Sequence, residues 1–270
     1  MFDFFFDTAD IDYISNAWEK LNNHVDSGHV RGITTNPNAM AKIERNQLAE
    51  WEEHLPKLCE LVSNIRGDNK GVVYVQMPNS NMTPDAAIKW AKHIHTFTDG
   101  QTKLGLKIPP FKPVLEVVND LNQYMETNVT GVADCATALN CFSYNVRYVS
   151  IIPGRMEEQG VDAKAHIAYV NQRSSDNAEI IAGSMRTIAG LKWVCEYGTV
   201  PTVGTRVWDK IFTDISLEEL VTFGKQKTGD WQKFAPMVTQ TSRQLEVDFF
   251  DQMDGLGKTA HEGFVNQCQK

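Results

Sequence analysis

The sequence predicts one (β/α)8 domain, an eight-stranded parallel α/β barrel with extra C-terminal helices. The chain has 270 residues, a length that one such barrel fills. Short apolar runs alternate with longer amphipathic stretches as far as about residue 203, the rhythm of repeated strand–helix units. Nothing low in complexity and no Pro/Gly/Ser-rich linker interrupts that rhythm. The expected division is a catalytic barrel over residues 1–210 and a C-terminal helical extension of the same domain over residues 211–270.

Each element has a local reason. Phe2 to Phe6 forms a short aromatic strand ending at Asp7. Asp10 then serves as N-cap for a helix whose Ile14, Ala17, Trp18 and Leu21 recur at helical spacing. Gly32-Ile33-Thr34 is a second strand, stopped by Thr35-Asn36-Pro37 because proline cannot continue the ladder. A helical region from Leu48 to Val62 leads to the strand Val72 to Gln76. Thr83-Pro84 reads as N-cap and first helical position, with Ile88, Ala91 and Ile94 on one face and Gly100 beyond the end. Leu104 to Ile108 is a strand closed by Pro109-Pro110, and Val114, Val117, Val118 and Leu121 mark the helix after it. Asn128 to Thr130 ends or follows a short fifth strand; Tyr148–Ile152, Glu179–Ala182 and Val200–Val203 complete the set. Helical faces near Leu217 to Val221 and Leu245 to Phe250 remain for the extension.

Composition narrows the function classes. A net charge of -8 and a pI near 5.4 argue against nucleic acid as the main partner, without excluding phosphate held by a local cationic cluster. No apolar stretch of about 18 residues offers a membrane span. The N-terminus has no basic region before its aromatic run, so a signal peptide is not expected. Cys59, Cys135, Cys141, Cys195 and Cys268 are scattered, with no metal-ligand spacing; free thiols in a reducing cytoplasm are expected, and no metal. Gly257-Lys258-Thr259 resembles the end of a phosphate-binding loop, but Gln252 occupies the required glycine position and the preceding residues read as helix.

In a barrel of this kind chemistry sits at the C-terminal strand ends. Those ends carry Asp7, Thr34 with Asn36, Gln76, Lys107, Asn128 with Thr130, Ser150 with Arg155, and Ser184 with Arg186. Unpaired buried polar groups cost about 1–3 kcal/mol each, so a packed core would not collect them. Lys107 lies between apolar neighbours on an interior strand. It fits either a lysine that snorkels to solvent or an amine whose proton affinity is lowered for attack on a carbonyl. Asp7 fits a cap or arginine partner, and equally a general acid/base beside Lys107. Arg155 and Arg186, each just past a strand end beside a serine, suit a phosphate monoester if they are not ordinary surface residues.

At these residues the chain resembles the transaldolase family, which includes the short fructose-6-phosphate aldolases. Phe5-Phe-Asp-Thr-Ala-Asp-Ile is similar to the family's first-strand motif, and Gly32-Ile-Thr-Thr-Asn-Pro to its Gly-Val-Thr-Thr-Asn-Pro segment. Leu106-Lys-Ile-Pro, Asn128-Val-Thr, Ser150-Ile-Ile-Pro-Gly-Arg and Ala182-Gly-Ser-Met-Arg resemble its later motifs in the same order. The resemblance implies a TIM barrel that forms a Schiff base on Lys107, with Asp7 and the residue at Gln76 in the catalytic set. It assigns substrate roles to Thr34, Asn36, Asn128, Thr130 and Ser150, and phosphate roles to Arg155, Ser184 and Arg186. No cofactor or metal is implied. Sugar phosphates are the expected partners in a cytoplasmic, pentose phosphate setting; a homo-oligomer is left open.

Two positions depart from that pattern. Gln76 stands where transaldolases carry glutamate and the aldolases glutamine. Ile152 stands where transaldolases carry phenylalanine and the aldolases tyrosine. Neither side chain can exchange a proton, so the group that handles water during imine formation stays unassigned. Transaldolase is the first expectation and a fructose-6-phosphate-type class I aldolase the second. A sugar-phosphate-binding or assembly protein of low turnover is the third.

Overall fold

The consecutive phenylalanines of β1 (Phe4–Asp7) state the logic of the whole sheet. Successive strand side chains point to opposite faces. Phe4 and Phe6 turn outward, their ring centroids 5.2 and 5.5 Å from that of Trp208. Phe5 turns inward, where its ring lies edge-on to Tyr74 and Tyr148, each 5.8 Å away. Asp7 follows Phe5 by two residues, so it turns inward as well, one layer higher. The computed structural model describes residues 1–68, 70–98, 102–173, 178–224 and 243–269.

The strands β2 (Val30–Thr34), β3 (Val72–Gln76), β4 (Lys103–Ile108), β5 (Glu126–Val132), β6 (Tyr148–Ile151), β7 (Glu179–Ala182) and β8 (Val200–Gly204) follow in order. They pair in parallel with their sequence neighbours, and β1 pairs with β8 to close the barrel. The helices around them are α1 (Ile11–Leu21), α2 (Pro37–Lys42), α3 (Leu48–Arg66), α4 (Pro84–His95), α5 (Lys112–Leu115), α6 (Val118–Leu121) and α7 (Cys135–Phe142). They continue as α8 (Pro153–Glu158), α9 (Ala163–Asn171), α10 (Ile188–Glu196), α11 (Thr205–Asp214), α12 (Leu217–Leu220) and α13 (Arg243–Cys268).

The expected caps are present. Asp10 accepts from Tyr13 N at the start of α1, and Thr83 accepts from Ala86 N ahead of Pro84 at the start of α4. Several segments differ in their bounds from expectation; β2 begins two residues earlier and α3 runs four residues longer. The helix expected through Val114 and Leu121 is two short helices, α5 and α6, because the backbone leaves helical geometry at Val117 (φ -106°, ψ 14°). Val114, Val118 and Leu121 are buried all the same, so the apolar spacing was a sound guide to the face and a poor one to continuity. The fifth strand runs two residues past Thr130, to Val132, rather than stopping there.

Inside the barrel the residues form layers. Phe5, Val72, Tyr74, Tyr148, Ile181 and Val200 make an apolar plug separate from the larger core between sheet and helices. Burying side chains of this size contributes about 1.5–3 kcal/mol each, and edge-on aromatic pairs add somewhat more. Tyr74 donates to Glu126 beneath the plug. Register then sets the next layer: Gln76 stands beside Lys107, and Lys107 beside Asn128. Above a dry plug, these polar side chains open toward the C-terminal rim. The protein's described cysteines are all free thiols, and no described helix is long and apolar enough to cross a membrane.

Candidate active site

A cavity of about 730 Å³ lies over the plug at the C-terminal ends of the strands. Its lining includes Asp7, Thr34, Asn36, Lys107, Thr130, Ser150, Arg155, Ser184 and Arg186. Gln76 and Asn128 sit just behind this lining, 2% and 0% exposed. All the residues singled out from sequence therefore converge on one end of the barrel.

Lys107 is 5% exposed, and its Nζ donates to the carbonyl of Thr35 at 3.0 Å. Burial lowers its pKa below the ordinary lysine value, and the negative charge of Asp7 opposes that shift. A carbonyl partner orients the amine without fixing a proton on it, as a carboxylate contact would. Lys107 points into the cavity instead of snorkelling away from it.

Asp7 is held by a hydroxyl chain. Thr34 Oγ1 donates to Asp7 Oδ1 at 2.8 Å and lies 2.6 Å from Thr202 Oγ1. Thr34 has one hydroxyl proton and spends it on the carboxylate, so Thr202 is the donor in the second bond. Asp7 thus faces Lys107 across the cavity in a fixed orientation.

At this end of the barrel, three of the described residues' buried polar atoms have no partner: Gln76 Oε1, Asn128 Nδ2 and Arg155 Nε. Asn128 Oδ1 is already engaged, accepting from Ser150 Oγ at 2.7 Å. Orphaned atoms beside a cavity are what a polar ligand or a bound water would satisfy. Asn36 has a dual position. Its side-chain oxygen accepts from Ala39 N and caps α2, which fixes the orientation of its amide nitrogen as a donor.

The cationic side is built by α8, which follows β6, and by the loop after β7. Ser184 has φ 61°, in the left-handed region, which a non-glycine residue adopts at some cost. That bend turns Ser184 and Arg186 toward Arg155. Arg186 Nε donates to Glu158 Oε1 at 2.7 Å, and this bond is the main reason the Glu158 carboxyl lies below its ordinary range. Burial first, and the charge of Arg186 second, lower the pKa of Arg155.

Sequence reasoning did not find several lining residues. Thr202 lies inward on β8 but reads as an ordinary strand threonine. Tyr13, whose hydroxyl donates to Asp209 at 2.8 Å, projects from α1. Burial and that hydrogen bond push its phenol well up. Phe249 and Met253 come from α13, far along the chain. Lys42 and Arg206 add positive charge at the rim. Among the described residues no cluster of His, Cys, Asp and Glu is arranged to hold a metal.

A closed parallel barrel with one buried lysine facing a carboxylate, and arginines at the same rim, defines a protein of the lysine-bearing (β/α)8 class. The chain matches the family Transaldolase/Fructose-6-phosphate aldolase over residues 4–270, and it belongs to that family. It is 28% identical over 240 residues to proteins named "Probable transaldolase" from Streptococcus pyogenes serotype M5 (strain Manfredo) and serotype M1. Those alignments cover 86% of this chain and 98% of each relative. Solved structures agree on the barrel. A putative fructose-1,6-biphosphate aldolase from Coccidioides immitis superposes with TM-score 0.51 at 11% identity, over 96% of this chain and 93% of that one. Orotidine 5'-phosphate decarboxylase from Lactobacillus acidophilus gives 0.51 at 9% identity, over 84% of this chain and 100% of that one. At such identities the likeness concerns the fold alone.

Proposed function

We propose that the protein is a transaldolase, moving a dihydroxyacetone unit between sugar phosphates through a Schiff base on Lys107. The observation that carries this reading is Lys107 itself: buried, its pKa lowered by that burial, and facing Asp7 over a cavity rimmed by arginines. The family and its relatives' names support the reaction class.

In this mechanism neutral Lys107 attacks the C2 carbonyl of a ketose phosphate, and the adduct loses water to give an iminium. The iminium accepts the electron pair of the breaking C3–C4 bond. Asp7 takes the proton of the C4 hydroxyl as that oxygen becomes an aldehyde, and an aldose phosphate leaves. The enamine left on Lys107 adds through its nucleophilic carbon to the aldehyde carbon of a second aldose phosphate. The new alkoxide takes the proton back from Asp7. Water then hydrolyses the iminium and frees the lengthened ketose phosphate. Asn128, Ser150 and Thr130 orient hydroxyls and water; Arg155, Arg186 and Ser184 hold the phosphate.

Gln76 favours a second reading. Its buried, unpartnered oxygen can hold a water but cannot exchange a proton as a carboxylate does. Slow transfer with release of the three-carbon unit would make the protein a class I aldolase. Product analysis separates the two. With fructose 6-phosphate and erythrose 4-phosphate a transaldolase forms sedoheptulose 7-phosphate; release of free dihydroxyacetone with no heptulose phosphate would replace the first reading by the second.

A further inference from the structure

The two arginines of the rim are held in different ways. Arg186 has a carboxylate partner, with Nε and Nη2 at 2.7 and 3.5 Å from the two oxygens of Glu158. Arg155 is held by neutral groups. Its Nη2 donates to Gln252 Oε1 at 3.0 Å, and its guanidinium carbon lies 5.1 Å from the centroid of the Phe249 ring. A guanidinium paired with a carboxylate has its donors committed, whereas an amide and a ring face orient it without a direct ion pair; on Arg155 the Glu158 carboxylate acts only from a distance.

Both orienting side chains come from α13, and that helix is seated by specific fits. Gly131, directly after Thr130, has φ 73°, and a Cβ there would lie 2.6 Å from Phe249 Cδ1. At Gly257 a Cβ would lie 2.2 Å from the carbonyl oxygen of Pro78. Glu246 accepts from Ala133 N at 3.0 Å, and Asp254 accepts from Ser80 N and Oγ at 2.7 and 2.6 Å. These contacts fix the rotation of the helix. Phe249 and Gln252, three residues apart, then share the face presented to Arg155.

We propose that Gln252 and Phe249 are positioning residues for Arg155, through which the C-terminal helix sets the preference of the cavity for phosphorylated over neutral sugars. The ligand concerned is the terminal phosphate monoester, so the inference rests on the proposed sugar-phosphate reading. Arg155 is the guanidinium that receives the dianion, and a neutral residue at position 252 is a condition of that role.

The test uses the full chain and three variants, Gln252→Glu, Gln252→Leu and Phe249→Leu, with Arg155→Ala as reference. Gln252→Glu keeps an acceptor for Arg155 but places a carboxylate where the phosphate must compete. Binding of inorganic phosphate, measured by calorimetry, should weaken roughly tenfold or more in Gln252→Glu. The two leucine variants should lose about two- to fivefold, the scale of one weak orienting contact. With fructose 6-phosphate the loss should fall on KM rather than kcat, and unphosphorylated fructose should register no comparable rise. In the Arg155→Ala background Gln252→Leu should have no further effect on phosphate binding. Equal losses with fructose and its phosphate would reduce α13 to a structural support and overturn the inference. So would wild-type phosphate affinity in Gln252→Glu, or a loss in Gln252→Leu that is additive with Arg155→Ala. A protein that does not turn over fructose 6-phosphate, yet loses phosphate binding in Gln252→Glu, would uphold the inference and sink the functional reading alone.

Discussion

Thr202→Val isolates one bond of the Asp7 network. Valine reproduces the shape of threonine and removes the hydroxyl that donates to Thr34 Oγ1 across 2.6 Å. Both threonines are buried, so water does not readily replace the lost donor. A net hydrogen bond of this kind is worth about 0.5–1.5 kcal/mol. Spent on the orientation of Asp7, that corresponds to a fall in kcat of roughly 2- to 13-fold. Thr34→Val removes that bond and also the one to the carboxylate, about 2–4 kcal/mol together, or roughly 30- to 1,000-fold. The two residues act in series, so the double variant should be no slower than Thr34→Val alone. The assay is steady-state transfer between sugar phosphates, run beside single-turnover imine formation on Lys107. Imine formation should be nearly unchanged in Thr202→Val while carbon–carbon cleavage slows. A normal kcat in Thr202→Val, or equal loss in both steps, would refute a chain that serves Asp7.

Arg155→Ala should raise KM for phosphorylated substrates by roughly 10- to 100-fold, the loss of a charge-assisted contact, and an unchanged KM would remove Arg155 from the phosphate site. Lys107→Met should alter the pH dependence of stability. Burial lowers the folded pKa of Lys107 below its ordinary value near 10.5, so between the two values the unfolded chain binds the extra proton and wild-type stability rises with pH. The stability of Lys107→Met relative to wild type, from denaturant melts, should accordingly decline as pH climbs through that window; a difference that grows would contradict a depressed amine. Gly131→Ala should cost about 2–4 kcal/mol, combining the left-handed backbone with overpacking against Phe249. Calorimetry should then show a fall in Tm of roughly 5–10 °C, and wild-type Tm would mean α13 is not seated there.

Short apolar runs alternating with longer amphipathic stretches made much of the barrel legible. Phe5 and Asp7 share one face of β1, as Tyr74 and Gln76 share one face of β3, so a polar layer above an apolar plug follows from the spacing. Local cap chemistry was equally readable at Asp10 and at Thr83-Pro84. What stayed hidden depends on distant partners. Thr202 meets Thr34 only because β8 closes on β1, and nothing in Val-Pro-Thr-Val distinguishes its hydroxyl from that of any strand threonine. Arg155 and Gln252 are 97 residues apart, joined by the docking of α13. The sequence pattern around Asn36 suggests a substrate contact and does not reveal that its oxygen also caps α2. The break at Val117 escaped because apolar spacing records which face is buried and not whether the helix is continuous.

In the proposed reaction the amine of Lys107 forms the covalent intermediate. Borohydride reduction in the presence of fructose 6-phosphate, followed by peptide mass spectrometry, tests it most directly. A reduced three-carbon or six-carbon adduct is expected on Lys107, and none in Lys107→Met. No adduct on the wild-type protein, or one carried by another lysine, would contradict it.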